Sequence, residues 1–161
     1  MKKLLAISLW QPWATYMADL LKANETRHWS TPIRGLIAIH AAKTTQGIAA
    51  TASHLHAAGR EDLLGRYIGV PWPHGCIVAV GELYDVQPAA AVVDKISVQE
   101  RAMGNYEVTP FDREHGSTRY AWLFRNVRKV DPPILCKGQQ GFWTLPEDVT
   151  AAVWKVLGVT A

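Results

Sequence analysis

The stretch Leu4–Lys22, LLAISLWQPWATYMADLLK, changes from one hydrophobic pattern to another near its centre. Leu4–Leu9 is a short apolar run of strand length, whereas Gln11–Lys22 places its apolar side chains at helical spacing. Pro12 suits the first turn of that helix, because its missing N–H would have no intrahelical partner there. We therefore predict a strand over 4–9 followed at once by an amphipathic helix over 11–22.

The rest of the chain predicts further strands and helices of uneven length. Strands are expected over 35–41, 76–86, 119–130 and 141–145, with extended chain over Glu25–Trp29. Helices are expected over 44–58, 60–66 and 89–103, and from Pro146 to Gly158. Pro132 and Pro133 should end the fourth strand, and the polar segment 105–117 is long enough to be a lid. This α+β pattern fits a small mixed barrel of five to six strands surrounded by helices, although periodicity alone leaves an open sheet possible.

Composition indicates an ordinary globular chain. The 161 residues, 48% hydrophobic and 19% charged, predict a single domain, 1–161. No apolar run reaches the roughly 18–20 residues that cross a bilayer, so we expect a cytoplasmic protein without membrane contact. Cys76 and Cys136 lack paired spacing and predict neither a disulfide nor a metal site. The net charge of +3 permits contact with phosphates but does not by itself indicate it.

Five segments carry a resemblance to a known family. They are Ser8–Ala14 (SLWQPWA), Lys22–Arg27 (KANETR), Arg34–Lys43 (RGLIAIHAAK), Gly75–Val86 and Lys137–Trp143 (KGQQGFW). In order and spacing they resemble the ASCH domain, which is similar to the PUA domain, a small barrel implicated in RNA recognition. The resemblance implies a PUA-like fold. Some members of the family are amidohydrolases that remove acyl groups from the exocyclic amine of cytidine, and others are reported as ribonucleases.

This chain departs from the family pattern at two places. The family usually carries a glycine one or two residues before the lysine that matches Lys22, where this chain has Leu20 and Leu21. In a small bacterial deacetylase of the family the motif is Lys-x-x-Thr, with the hydroxyl as the supposed nucleophile, and here Glu25 occupies the threonine position. A covalent threonine mechanism therefore does not carry over. A longer branch of the family keeps Lys-x-x-Glu-x-Arg, as this chain does.

The resemblance and the residue chemistry together predict a site around residues 22–27. Amide hydrolysis needs a group that activates a nucleophile, one that stabilises an oxyanion and one that protonates the departing amine. We expect Glu25 or Glu82 to orient water, Lys22 to carry the proton, and Arg27 or Lys43 to stabilise the acyl oxygen. The predicted substrate-binding residues also include the stacking candidate Trp29, together with Gln11 and His40. The competing interpretation makes Lys22 and Glu25 an exposed i, i+3 ion pair on a solvated surface.

The predicted function is an amidohydrolase of N4-acylated cytidine derivatives that needs no metal or other cofactor. Its partner would be a modified cytidine nucleoside or RNA. The rival predictions are a non-catalytic RNA-binding module that uses the same cationic cleft, and a ribonuclease. The sequence leaves the acyl group, the base and the oligomeric state open.

Overall fold

The computed structural model describes residues 3–57, 59–65 and 71–159. The strands in these ranges are β1 (Leu5–Leu9), β2 (Asn24–Arg27), β3 (Gly35–Ala41), β4 (Cys76–Pro88), β5 (Tyr120–Leu135) and β6 (Phe142–Thr144). The α-helices are α1 (Trp13–Ala18), α2 (Gln46–Ala57), α3 (Glu61–Gly65), α4 (Ala89–Val92), α5 (Val98–Ala102), α6 (Pro110–Glu114) and α7 (Glu147–Val156). A 3₁₀ turn, Val93–Lys95, follows α4 directly.

These strands form one mixed sheet in the order β2, β5, β4, β3, β1, β6. β1 and β3 run parallel, and the other neighbouring pairs are antiparallel. A parallel pair needs a crossover connection, which α1 and β2 provide here. Ala14 and Met17 of α1 are buried against the sheet in the main core. The predicted amphipathic helix therefore covers one face of the sheet.

The sheet curls so that strands distant in its order approach one another. Arg27, at the end of β2, donates a hydrogen bond from Nη2 to the carbonyl of Ser8 on β1 at 2.8 Å. The Trp29 ring meets the ring of Phe142 on β6 edge to face, with centroids 5.9 Å apart. Trp122 of β5 stacks on the same Phe142 ring at 5.2 Å. These contacts make the architecture a six-stranded half-barrel with helices around it, which confirms the predicted α+β, PUA-like fold.

The strand predicted over 119–130, β5, does not end before Pro132 and Pro133. β5 continues through Pro132 and Pro133 to Leu135. Its register against β4 shifts at this point, which leaves residues 130–133 opposite Val78 alone. Proline cannot donate a ladder hydrogen bond, and a bulge is where a sheet tolerates that loss. The prediction of a strand end was therefore wrong because the prolines lie in a bulge.

Two other segments differ from the sequence prediction. The helix expected over 89–103 is broken, since Ile96 and Ser97 are extended and Ser97 starts α5 as an N-cap, its side chain accepting a hydrogen bond from the Glu100 amide. The loop expected over 105–117 contains α6, which begins with a capping box. The strands predicted over 4–9, 35–41, 76–86 and 141–145 are confirmed to within a few residues, as is the last helix.

The described part of the chain contains no helix that is both long and apolar enough to cross a bilayer.

Candidate functional site

Lys22 follows a helix that ends earlier than its spacing predicted. Leu20 adopts a left-handed backbone conformation, with φ of +58°. The amides of Leu20 and Leu21 donate to the carbonyls of Met17 and Tyr16, which is the hydrogen-bond pattern of a Schellman cap. Glycine is the usual residue in this conformation, and it is the residue that the ASCH pattern carries one or two positions before the lysine. The turn reverses the chain and starts β2 close behind the helix.

Lys22, Glu25 and Arg27 bring their charges together at the start of β2. The Lys22 Nζ lies 3.5 Å from the Glu25 Oε2, and the Glu25 Oε1 lies 3.1 Å from the Arg27 Nε. The side chain of Lys22 is 1% exposed and that of Glu25 is 12% exposed. Lys22 also donates a hydrogen bond to the carbonyl of Asn24. An exposed and solvated i, i+3 pair does not describe this arrangement, because Lys22 is buried and Glu25 is only 12% exposed.

Lys22 and Glu25 form part of the wall of a cavity of about 280 Å³, which we call the first cavity. Its lining residues are Trp13, Lys22, Glu25, Thr26, Thr51, Ala102, Met103, Gly104, Asn105 and Arg119. Charged groups and apolar side chains thus share one enclosure. Its volume is just below the lower end of the range for small-molecule sites, roughly 300–1,000 Å³. A group the size of a nucleobase is therefore the appropriate scale of ligand.

Thr51 contributes an unpartnered hydroxyl to this cavity. The residue is 2% exposed, and its Oγ1 makes no hydrogen bond with any described residue. Buried polar groups in native proteins are nearly always paired. A ligand in the first cavity would supply the missing partner.

The segment that carries Lys22 is held by a buried carboxylate from α5. Glu100, 8% exposed, accepts hydrogen bonds from the amides of Ala23 at 2.7 Å and Asn24 at 3.0 Å. It also accepts from the hydroxyl of Tyr106 at 3.0 Å. Burial and the neighbouring Glu100 carboxylate raise the pKa of Tyr106 strongly, so the phenol stays protonated and acts as a donor. This network fixes the backbone immediately after Lys22.

Arg119 brings a further cation to the first cavity. Its Nη1 donates to both carboxylate oxygens of Asp112, at 3.1 and 3.0 Å, and its Nε donates to the carbonyl of Asn105 at 3.0 Å. Asp112 is fully buried and belongs to the capping box of α6 together with Thr109. The Nη2 of Arg119 makes no hydrogen bond with the described residues, so it remains available to a ligand. The segment predicted to be a lid is thereby tied to the cavity wall.

The structure does not place Glu82 in the first cavity. Its carboxylate accepts two hydrogen bonds from Arg125, at 2.9 and 2.7 Å, and one from Asn126 at 3.1 Å. The Arg125 guanidinium holds the pKa of Glu82 below its ordinary value. Glu82 is thus an ionised partner in a surface network between β4 and β5.

Lys43 and His40 lie at a different cavity, on the side of the sheet formed by the ends of β3, β4 and β5. His40 is buried, with Nδ1 3.1 Å from the Ser8 hydroxyl and Nε2 3.0 Å from the carbonyl of Cys136. Burial lowers the pKa of His40, and the nearby charge of Lys43 adds to that effect. The imidazole therefore favours its neutral form. Neither residue reaches the wall formed by Lys22 and Glu25.

Gln11 and Trp29 also have internal partners. The Gln11 amide is fully buried, donates to the Thr15 hydroxyl and the Pro73 carbonyl, and accepts from the Thr15 amide. The Trp29 ring packs edge to face on Trp122, with centroids 4.6 Å apart. The expectation that Trp29 is the better stacking candidate does not fit this position, since Trp13 is the tryptophan that lines the first cavity.

Sequence reasoning missed Thr51, Glu100 and Arg119. Each lies outside the segments that carry the family resemblance. Only the Ser97–Glu100 spacing, which predicts a helix start, carried a local signal, and it gives no indication of a site. In the described ranges no group of three or more His, Cys, Asp or Glu side chains is placed to hold a metal ion.

The fold and site define a small mixed half-barrel with a buried lysine–glutamate pair at a base-sized cavity. Solved ASCH domain structures from Zymomonas mobilis share this fold. The ASCH protein itself matches with a TM-score of 0.55 at 15% identity, covering 94% of this chain and 93% of the other. A Tyr-to-Phe variant and a Ser-to-Ala variant of that protein match with TM-scores of 0.54 and 0.53, again at 15% identity. Scans of family models and of curated proteins found no match. The likeness therefore shows an ASCH-type fold across nearly the whole chain.

Proposed function

We propose that the first cavity is a hydrolytic site that removes the acyl group from the exocyclic amine of N4-acylated cytidine or a related nucleoside. The observation that carries this proposal is the buried pair of Lys22 and Glu25, 3.5 Å apart on the cavity wall. Burying two charges costs several kcal/mol per ion, and only well-placed pairing and hydrogen bonds offset that cost. Charged groups held at such a cost beside a ligand-sized cavity are typical of functional sites.

The chemistry needs one water and three proton transfers. Glu25 accepts a proton from a water whose oxygen forms a bond to the acyl carbon, and the carbonyl electrons move onto the acyl oxygen. The C–N bond then breaks as the departing N4 takes a proton from Lys22, which recovers one from Glu25. The products are the free cytosine amine and a carboxylic acid, which ionises in solution. The 3.5 Å separation of Nζ and Oε2 allows this exchange to occur within the pair.

Arg119 replaces Arg27 and Lys43 in the role of oxyanion stabiliser. Its guanidinium lines the first cavity, where Lys43 and Arg27 are not among the lining residues. Arg27 instead lies behind Glu25, 3.1 Å from Oε1, and orients that carboxylate. The unpartnered Thr51 hydroxyl and the Trp13 ring supply a hydrogen-bonding group and an aromatic face for the base.

The fold supports the same class of partner. ASCH-type and PUA-like folds suggest a nucleoside or nucleic acid ligand and either hydrolysis or RNA binding. The cavity volume of about 280 Å³ favours a single base over a stacked segment. We therefore assign N4-acylated cytidine as the substrate.

The test is incubation of the purified protein with N4-acetylcytidine, followed by the absorbance change that accompanies conversion to cytidine. Lys22→Met removes the ammonium while it keeps most of the length of the side chain, and Lys155→Met changes an exposed lysine of α7 as the matched control. We expect the control to retain turnover and Lys22→Met to lose it. Equal turnover by the two variants, or none by the parent protein, would reject the proposal.

A second candidate is recognition of a base without hydrolysis. It is favoured by the apolar part of the cavity wall, Trp13 and Met103, which suits a stacked base irrespective of the charged pair. Calorimetric binding of cytidine that depends on Trp13, with no product formed from the acylated nucleoside, would favour this reading.

A further inference from the structure

Glu100 stands at the position of α5 where a glutamate usually caps its own helix. Ser97 is the N-cap, and its hydroxyl accepts a hydrogen bond from the Glu100 amide at 3.0 Å. In a complete capping box the third residue of the helix accepts in return from the N-cap amide, as Asp112 does from the Thr109 amide at 2.8 Å in α6. The Glu100 carboxylate instead turns to the start of β2, where both oxygens accept from main-chain amides. It therefore acts on another element than its own helix.

The main chain on both sides of Lys22 is bound by two consecutive residues of α5. Before the lysine, the Leu21 carbonyl accepts a hydrogen bond from the side-chain amide of Gln99 at 3.0 Å. Directly after it, the Ala23 amide donates to Glu100 at 2.7 Å. A short helix from a distant part of the chain thus fixes the peptide groups that flank the buried lysine.

Asn24 links this contact to the ammonium group. Its amide donates to the Glu100 Oε1 at 3.0 Å, and its carbonyl accepts the hydrogen bond from the Lys22 Nζ. Its side-chain Nδ2 donates to the Tyr106 hydroxyl at 3.2 Å, and that hydroxyl donates to the same Glu100 oxygen. Because Asn24 is held by its amide and by its side chain, its carbonyl has a fixed direction. That direction sets where the ammonium lies, 3.5 Å from the Glu25 Oε2.

The turn after α5 keeps Tyr106 in this network. A Cβ at Gly104 would come 2.4 Å from the Cε2 of Tyr106, so the main chain passes directly over the phenol ring. Gly104 also lines the first cavity, together with Lys22 and Glu25. The segment 99–106 therefore both encloses the charged pair and holds the main chain from which it extends.

We propose that Glu100 is a positioning residue, which directs the Lys22 ammonium toward Glu25 through the main chain of Asn24. A buried carboxylate needs hydrogen-bond donors, and the three that Glu100 has give it one defined position. In the proposed hydrolysis Lys22 gives a proton to the departing N4 and recovers one from Glu25, so both transfers depend on where its Nζ lies. The effect on turnover rests on the proposed function, whereas the effect on the position of the ammonium does not.

The first test compares the steady-state kinetics of the parent and of Glu100→Gln with N4-acetylcytidine. The substitution keeps the shape of the side chain but presents an N–H₂ group to one of the two main-chain amides, so one of those hydrogen bonds is lost. We expect kcat to fall by about one to two orders of magnitude, since a misplacement of about 1 Å can cost a hundredfold. KM should stay close to the parent value, because Trp13 and Thr51, which face the base in the proposed complex, belong to α1 and α2.

Two control variants separate positioning from a general loss of stability or charge. Thr150→Val removes a hydrogen bond to the Pro146 carbonyl in α7, far along the chain from the site. Glu147→Gln makes the same chemical change as Glu100→Gln at an exposed position of α7. Both controls should keep the parent kcat and KM at a temperature where all variants are folded.

A milder variant keeps the test decisive if Glu100→Gln does not fold. Tyr106→Phe removes the hydrogen bond from the phenol to Glu100 and leaves both main-chain hydrogen bonds of that carboxylate in place. We expect a smaller fall in kcat, again without a change in KM.

The second test observes the Lys22 ammonium directly and needs no reaction. Because the side chain is 1% exposed, its protons should exchange with water slowly enough to give a ¹H–¹⁵N signal, which Lys22→Met identifies by its loss. We expect Glu100→Gln and Tyr106→Phe to shift that signal and both control variants to leave it in place.

The proposal is overturned if Glu100→Gln and Tyr106→Phe keep the parent kcat, if they change KM alone, or if Thr150→Val lowers kcat as much. Absence of turnover by the parent rejects the proposed function, and the ammonium signal then tests the role of Glu100 by itself. A shift confined to Glu100→Gln and Tyr106→Phe supports that role. An unshifted signal in both, or no such signal in the parent, overturns it.

Discussion

Removing Glu25 should destabilise the protein more than removing Lys22, and removing both should cost less than the sum. In Glu25→Gln, the ammonium of Lys22 stays buried with the Asn24 carbonyl as its remaining described partner. Breaking a buried pair in this way costs about 3–5 kcal/mol. Because Glu25 keeps 12% exposure, we expect the lower end, about 3 kcal/mol.

In Lys22→Met, Glu25 still has the Arg27 Nε at 3.1 Å. We therefore expect the free energy of unfolding to fall by only about 1 kcal/mol, as is usual for ion pairs that are partly exposed to water. In Lys22→Met/Glu25→Gln, no ammonium is left unpaired. The coupling free energy of the double-mutant cycle should then be about 2 kcal/mol, within the range for residues in contact.

Urea unfolding of the four proteins measures these free energies, and thermal unfolding gives a check. At about 2–4 °C per kcal/mol for a domain of this size, Glu25→Gln should lower the midpoint by about 6–12 °C. Strictly additive effects, or a larger loss in Lys22→Met than in Glu25→Gln, would refute the argument that the carboxylate compensates a buried ammonium.

The other predictions concern single positions. Thr51→Val should raise the free energy of unfolding by about 1 kcal/mol, because it removes an unpaired buried hydroxyl, and it should also raise the KM for the acylated nucleoside. The control Thr150→Val loses a hydrogen bond that is present in the structure, so it should destabilise the protein. A destabilised Thr51→Val would contradict the reasoning. Gly138→Ala should lower the free energy of unfolding by about 1–3 kcal/mol, because its Cβ would overlap His40. Gly65→Ala, which has open space around the added Cβ, should leave it unchanged when both variants are unfolded in urea. Leu20→Gly should stabilise the protein by about 1 kcal/mol, since Leu20 is 69% exposed and has a positive φ. The control Leu36→Gly, in extended β3, should destabilise it. A lower free energy of unfolding in both variants would disprove the strain at Leu20. Burial alone would raise the pKa of Asp112, but hydrogen bonds from Thr109 and Arg119 outweigh it and hold that pKa below its ordinary value. Its stabilisation is therefore complete above the ordinary carboxyl range of about 4 and is lost as pH falls through the lower folded value; Asp112→Asn should remove this part of the pH dependence of urea unfolding, and an unchanged pH profile would exclude it.

Local pattern carried most of the fold. The change from strand to helical spacing near Trp10 predicted β1 and α1, and the breaker cluster 71–75 predicted the start of β4. The errors arose where sheet geometry overrode local preference. Prolines end a strand where the sheet ladder requires an N–H donor at their positions. Pro132 and Pro133 lie in the bulge opposite Val78, where no such donor is required.

The candidate site divides in the same way. The resemblance to the ASCH pattern indicated Lys22, Glu25 and Arg27 from sequence, and residues so near one another in the chain remain close in the fold. Glu82 and Lys43 were assigned by motif alone, and the curl of the sheet carries them away from that cluster. Burial of Lys22 was not predictable either, since the residues that enclose it come from distant parts of the chain.

By itself the sequence determined most of the strand and helix segments and the closeness of the charged residues 22–27, because both follow from contacts between near neighbours in the chain. The tertiary structure alone decided that Thr51 and Arg119 join that cluster around one cavity, and that Lys43 and Lys137 face a second. The physical reason is that a cavity is enclosed by groups brought together only when the sheet curls and the segment 97–119 packs over its edge. Spacing along the chain carries no information about that closure.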